Sequence, residues 1–147
     1  MLNFGNGDPF TTGRAEYFDH DTGAAAEPTA KIFVRIEAPG VGAPLLAQLD
    51  TGAAWSLLNA EVAAALGLLS GEGVKITMKT RVGDFDGRLE EAALTIVADE
   101  GQSLDVNARV FVSPDWNYPT FIGYRGLLER IRFGLDPQAN SFHFGGY

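Results

Sequence analysis

The chain has 147 residues, a length that sets one domain with a core large enough to fold alone. With 46% apolar and 20% charged residues and no apolar run of bilayer length, the composition excludes disordered, collagen-like, coiled-coil and transmembrane classes. A net charge of −8 repels phosphate backbones and anionic lipid, so neither nucleic acid nor a membrane surface is an expected partner, and the lack of cysteine removes disulfides, thiolate catalysis and cysteine-ligated zinc.

Residues 1–28 are rich in Gly, Asp, Thr and Ala, have no sustained periodicity and end at Pro28. They are expected to form a loosely ordered N-terminal arm that gains order by docking on another chain. The first eight residues carry neither a basic nor an apolar leader, so no signal peptide is expected and the cytoplasm is the default location. From Thr29 the pattern changes. Ile32, Val34 and Ile36 alternate with Phe33, Arg35 and Glu37 as in a half-buried strand, and Pro39-Gly40-Val41-Gly42 is turn punctuation.

A second strand, Leu45 to Leu49, runs straight into Asp50-Thr51-Gly52, and residues 53–58 are apolar enough for a third, buried strand. Asn59 is placed to cap a helix over residues 60–66, stopped by Gly67. Residues 74–81 alternate again. Val82-Gly83-Asp84-Phe85-Asp86-Gly87 has the composition of a hairpin tip, and residues 89–98 form the returning strand. Glu100-Gly101 turns the chain into a strand over residues 104–112, and residues 114–119 form a loop. Phe121-Ile122-Gly123 is a short apolar strand. Leu127, Leu128 and Ile131 have the spacing of a second helix, over residues 127–132 and closed by Gly134; Asp136-Pro137 turns the chain, and residues 141–144 form a last strand. The sum is an all-β domain of seven or eight short strands with one or two short helices and no internal repeat.

Asp50-Thr51-Gly52 carries the chemistry because of its setting. Apolar segments before and after it pin the aspartate at a strand tip in a fixed direction. Gly52 permits a tight turn that brings its N–H to the carboxylate, and Thr51 offers a hydroxyl to a neighbouring backbone group. The same tripeptide recurs at Asp21-Thr22-Gly23, after Phe18-Asp19-His20 and without apolar flanks, where an ordinary turn is expected. The two copies differ in context alone.

Leu49-Asp50-Thr51-Gly52-Ala53 resembles the active-site loop of the retropepsin-like aspartic proteases. The hairpin at Val82 to Gly87 falls where that family has its flap, and Phe121-Ile122-Gly123 before a helix is similar to its apolar-apolar-Gly signature. The resemblance spans residues 29–147. It implies a closed, barrel-like β-fold and an aspartic endopeptidase active as a symmetric homodimer. One well-placed Asp-Thr-Gly supplies one carboxylate where the chemistry needs two, and a twofold axis beside Asp50 supplies the second. The implied roles are catalysis by Asp50, loop support by Thr51, Gly52 and Ala53, and closure of the 82–87 hairpin over an extended polypeptide substrate. No metal and no organic cofactor are implied.

Two positions depart from the family. Acidic residues that often follow Asp-Thr-Gly-Ala are replaced here by Ala54 and Trp55, and Tyr124 separates Gly123 from Arg125. Two readings of Arg125 therefore stand side by side, an ionic contact between subunits and a solvated position at the start of a helix, and residues 142–144 are the alternative edge for a partner strand. His20 and His143 lack ligand spacing. Asp84-Phe85-Asp86-Gly87 lacks the further acidic positions of a calcium loop. Trp55 and Trp116 are packing residues, with Trp116 also placed to line a substrate groove. The rival functional class is a non-catalytic dimerisation or extended-peptide-binding module on the same fold.

Overall fold

The computed structural model describes residues 1–18 and 31–147. Its centre is a barrel that grows out of the alternating segments. Strand β2 (Ile32–Glu37) pairs antiparallel with β3 (Leu45–Leu49), setting Val34 opposite Ala47 with both side chains buried. Strand β3 continues in parallel onto β9 (Thr120–Ile122), which pairs with β4 (Ser56–Leu57). From β4 the sheet passes to β8 (Leu104–Val112), then to the long β6 (Gly83–Ile96). Strand β6 returns to β2 at the Ile36–Ile96 pair, closing a ring of six strands. Alternation along each strand sends Val34, Ile36, Ala47, Leu94, Ile96, Val106, Ala108, Val110 and Ile122 into one core.

Helix α1 (Ala60–Ala65) comes after β4 and seals the barrel with Ala63. Asn59 caps it as expected, its side-chain oxygen accepting the Glu61 N–H at 2.9 Å. The second expected helix is a single 3-10 turn at Leu128–Arg130. Leu127, Leu128 and Ile131 are buried in the barrel core as their spacing suggested, but the chain extends again directly afterwards. Gly134, expected to close a helix, lies inside strand β10 (Arg132–Asp136). An apolar stripe of three residues is satisfied by one turn, and the conformation of residues 132–136 is decided by pairing with the next strand.

The chain's two ends meet in a second sheet, ordered β10, β11 (Ser141–Gly145), β1 (Gly13–Glu16) and β7 (Glu100–Gly101). Part of the segment read as a loose arm is thus strand β1, paired with β11 of the same chain from Gly13–Phe144 to Glu16–Ser141. Gly-Arg-Ala-Glu gives almost no apolar signal. Its place is fixed by close approach instead, since a Cβ on Gly13 would run into the Phe144 ring and the Gln102 carbonyl. Glu100-Gly101, expected as a plain turn, pairs with β1 as a two-residue strand. Both edges of β11 are taken, by β10 and by β1, so residues 142–144 offer no edge to a partner strand. Among the described residues, no helix is long and apolar enough to cross a membrane.

Among the described residues, strand β5 (Val74–Thr80) pairs only with β6. Their connection is the two-residue turn Arg81-Val82, and Gly83 to Gly87 belong to β6, so the turn is centred three residues before the middle of the expected tip. The register explains the shift. Thr80 pairs with Gly83, whose φ of +130° a side chain would resist, and Thr80 Oγ1 donates to the Gly83 carbonyl at 2.7 Å and accepts the Val82 N–H at 3.2 Å.

Candidate active site

Asp50 leaves β3 at the point where β3 and β9 run side by side. Its N–H donates to the Ile122 carbonyl at 2.9 Å, so the parallel ladder carries one step past the strand and fixes the backbone there. The chain then turns back on itself. The Gly52 N–H donates to Asp50 Oδ1 at 3.0 Å, and the Ala53 N–H donates to the Asp50 carbonyl at 3.1 Å. One carboxylate oxygen is thereby held by its own loop, while the side chain remains half-buried and open to an incoming group. A Cβ at position 52 would sit 3.3 Å from that oxygen, a tight contact from which the carboxylate would have to shift by a few tenths of an ångström.

The loop is laced to the segment after β9. The Tyr124 N–H donates to the Ala53 carbonyl and the Arg125 N–H to the Ala54 carbonyl, both at 2.9 Å. Just before them Gly123 is buried, and its N–H donates to Ser56 Oγ at 2.9 Å. A Cβ on Gly123 would collide with the Trp55 carbonyl, so the crossing of the two segments requires glycine. The fold therefore brings Phe121, Ile122 and Gly123 against the Asp50 loop from a distant part of the sequence. Ser56 is the one polar participant that its apolar neighbours in the sequence concealed. A serine inside a buried run was the available signal, because a buried hydroxyl needs a partner.

The remaining expected residues are only partly gathered around this loop. Thr51 is exposed, and among the described residues its hydroxyl makes no hydrogen bond, so the local lock expected of it is not formed. Arg125 is exposed and forms no ion pair among the described residues. Val82, Gly83, Asp84 and Asp86 are exposed on the β5–β6 ribbon, whereas Phe85 and Gly87 face inward and are half-buried. Phe85 meets Trp116 edge-on with ring centroids 5.0 Å apart. Trp116 does not line an open groove. It is buried at 4% exposure, at the centre of a second apolar cluster with Leu57 and Phe111. Trp55 and Phe121, which flank the Asp50 loop and its partner segment, pack on the same cluster.

His143 lies in β11, buried, with Nε2 3.1 Å from Ser141 Oγ and, among the described residues, no partner for Nδ1. Burial pushes its pKa below the ordinary value. Among the described residues no three His, Asp or Glu side chains gather as a metal site. His20 and Asp21-Thr22-Gly23 lie outside the described residues.

The backbone path of this closed six-stranded barrel is similar to those of several solved structures. One is a retropepsin-like aspartic protease from Rickettsia conorii, at 18% identity and a TM-score of 0.55, covering 90% of this chain and 98% of that one. The chain has the retropepsin-like fold. Another is the retroviral protease-like domain of Ddi1 from Leishmania major, at 16% identity and a TM-score of 0.50, covering 80% of this chain and 94% of that one. The sequence itself matches no protein-family model and no curated protein. At such identities the retropepsin-like likeness lies in the path of the backbone.

Proposed function

We propose that the chain is an aspartic endopeptidase whose catalytic pair is Asp50 and the Asp50 of a second copy, related by a twofold axis. The observation that carries this reading is the carboxylate at the end of β3, held through one oxygen by the Gly52 N–H and otherwise open. The same bond to the N–H two residues on closes a plain turn at Asp136, so what sets Asp50 apart is its place at the end of β3, where its own N–H is held by the Ile122 carbonyl. The likeness to a retropepsin-like protease supports the same reading. Two such carboxylates about 3 Å apart cannot both ionise, so the pair holds one proton. The ionised member takes a proton from a water molecule, whose oxygen adds to the scissile carbonyl carbon. The protonated member donates to the carbonyl oxygen as the tetrahedral intermediate forms. Transfer of a proton to the amide nitrogen then lets the C–N bond break, giving a carboxyl and an amine. The two carboxyls titrate as a pair, so neither role belongs to one chain. The substrate is an extended polypeptide, with the β5–β6 ribbon closing over it.

Cleavage of a mixed peptide library, read by mass spectrometry from acidic to neutral pH at two protein concentrations, tests this. Wild type should make cuts that Asp50→Asn lacks, with activity falling by on the order of a thousandfold or more. A homodimer that dissociates over this concentration range should give a yield that rises more steeply than linearly with protein concentration, and a tighter one a linear rise. Absence of any Asp50-dependent cut, together with unchanged peptide binding by Asp50→Asn, would favour the binding-module reading instead.

A further inference from the structure

The β5–β6 ribbon outruns its support. Pairing of β6 with β8 begins at Arg88–Val112, so among the described residues Gly83 to Gly87 have only β5 beside them, and β5 has only β6. A two-stranded ribbon of this kind is marginally stable in water by its own hydrogen bonds. Its attachment to the body must come from its inner face, where Ile76, Met78 and Phe85 pack on the cluster of Leu57, Phe111 and Trp116. Phe85 is the ribbon's aromatic contact with that cluster. Its ring stands edge-on to Trp116 at 5.0 Å and to Tyr118 at 6.2 Å.

The two sides of this contact are unequal. Trp116 and Tyr118 are anchored: the Trp116 Nε1–H donates to the Pro119 carbonyl at 3.1 Å, and the Ala60 N–H donates to the Trp116 carbonyl at 2.8 Å. The Asn59 side-chain amide donates to the Tyr118 carbonyl at 3.0 Å, tying the loop to the cap of α1. Trp116 also meets Phe121, the neighbour of Ile122 that receives the Asp50 N–H. Phe85, by contrast, rides on the ribbon. Tyr118 keeps 42% of its surface exposed, so one flank of the aromatic pair is open.

We infer that Phe85 is a latch. It holds the ribbon down on the anchored Trp116 and Tyr118, and a polypeptide entering the site must replace that contact with an apolar side chain of its own. The second half rests on the proposed endopeptidase function; the first does not. A substrate residue with a large ring regains what the ribbon gives up, whereas a small or charged one does not. Phe85 is in this sense a specificity-determining residue rather than a catalytic one.

Hydrogen exchange and cleavage preference test the two halves separately. In Phe85→Ala the amides of residues 76–86 should exchange about tenfold faster or more, with those of β8 unchanged, and Phe85→Leu should fall between. Uniform exchange in the ribbon across all three proteins would overturn the latch, whether or not the protein cleaves anything. In cleavage, Phe85→Ala should lower KM most for substrates with small residues beside the cut, flattening the preference for aromatic ones while kcat changes little. An unaltered preference in a variant with a loosened ribbon would overturn the specificity role. Absence of Asp50-dependent cleavage by wild type would instead remove the function on which that role rests.

Discussion

Gly123 shows how one residue carries the geometry of the site. Its buried N–H is satisfied by Ser56 Oγ, and its missing side chain leaves room for the Trp55 carbonyl. Only this lets the segment after β9 cross the Asp50 loop closely enough for the Tyr124 and Arg125 N–H groups to reach the Ala53 and Ala54 carbonyls. Gly123→Ala should therefore cost about 3 kcal/mol in urea unfolding, the range of an overpacked core with no room to relax. The same change should abolish any activity that depends on Asp50, because the loop would lose its lacing. Ser56→Ala removes only the acceptor and leaves a buried donor unpaired, so its cost should be lower, about 1–2 kcal/mol.

At the scale of elements, α1 matters less for its six residues than for what its cap holds. Asn59 Oδ1 accepts the Glu61 N–H while its Nδ2 donates to the Tyr118 carbonyl. Asn59→Ala should destabilise the protein by roughly 1–2 kcal/mol, typical of a lost cap with a second bond attached. Asn59→Asp keeps the cap oxygen but loses the donor, and should recover most of that stability while leaving the Pro114–Pro119 loop less protected in hydrogen exchange. Elements with a period were legible in the sequence, and those fixed by close approach were not. Ile32, Val34 and Ile36 announced β2, and Leu45 to Leu49 announced β3 and the position of Asp50 at its end. The pairing partners are what escaped. Arg132 to Asp136 come after an apolar stripe that suited a helix, yet the neighbouring β11 makes them a strand. Gly13 to Glu16 have one buried apolar side chain, Ala15, and take their place from the Phe144 ring across the sheet. The aspartate loop could be read because its flanks are apolar, whereas the clasp of Gly123 by Ser56 depends on residues 67 apart.

The whole molecule is closed by joining its two ends, and there its pH dependence is set. Strand β11 lies between β10 and β1, with His143 buried and its Nδ1 unpaired among the described residues. Burial holds the imidazole below its ordinary pKa of 6.5; the nearby amino terminus and Arg14 push the same way, while Asp136 and Glu100 oppose them. The unfolded chain therefore binds a proton that the folded chain resists, and stability drops as the pH is lowered across that interval. His143 contributes fully above about pH 6.5, and the contribution is lost as the pH drops from there towards the lower folded value. Asp99 acts in a separate window. Burial raises its pKa but is outweighed by the Glu16 N–H, Arg35 and Arg14, so the net shift is downward and its contribution is lost only as the pH falls below the ordinary carboxylate range. Urea midpoints measured from about pH 8 down to about pH 3 should thus decline in two stages. His143→Leu should flatten the upper stage and leave the lower one, while Asp99→Asn should do the reverse. An upper stage that survives His143→Leu would place its origin elsewhere than in the sheet that joins the ends.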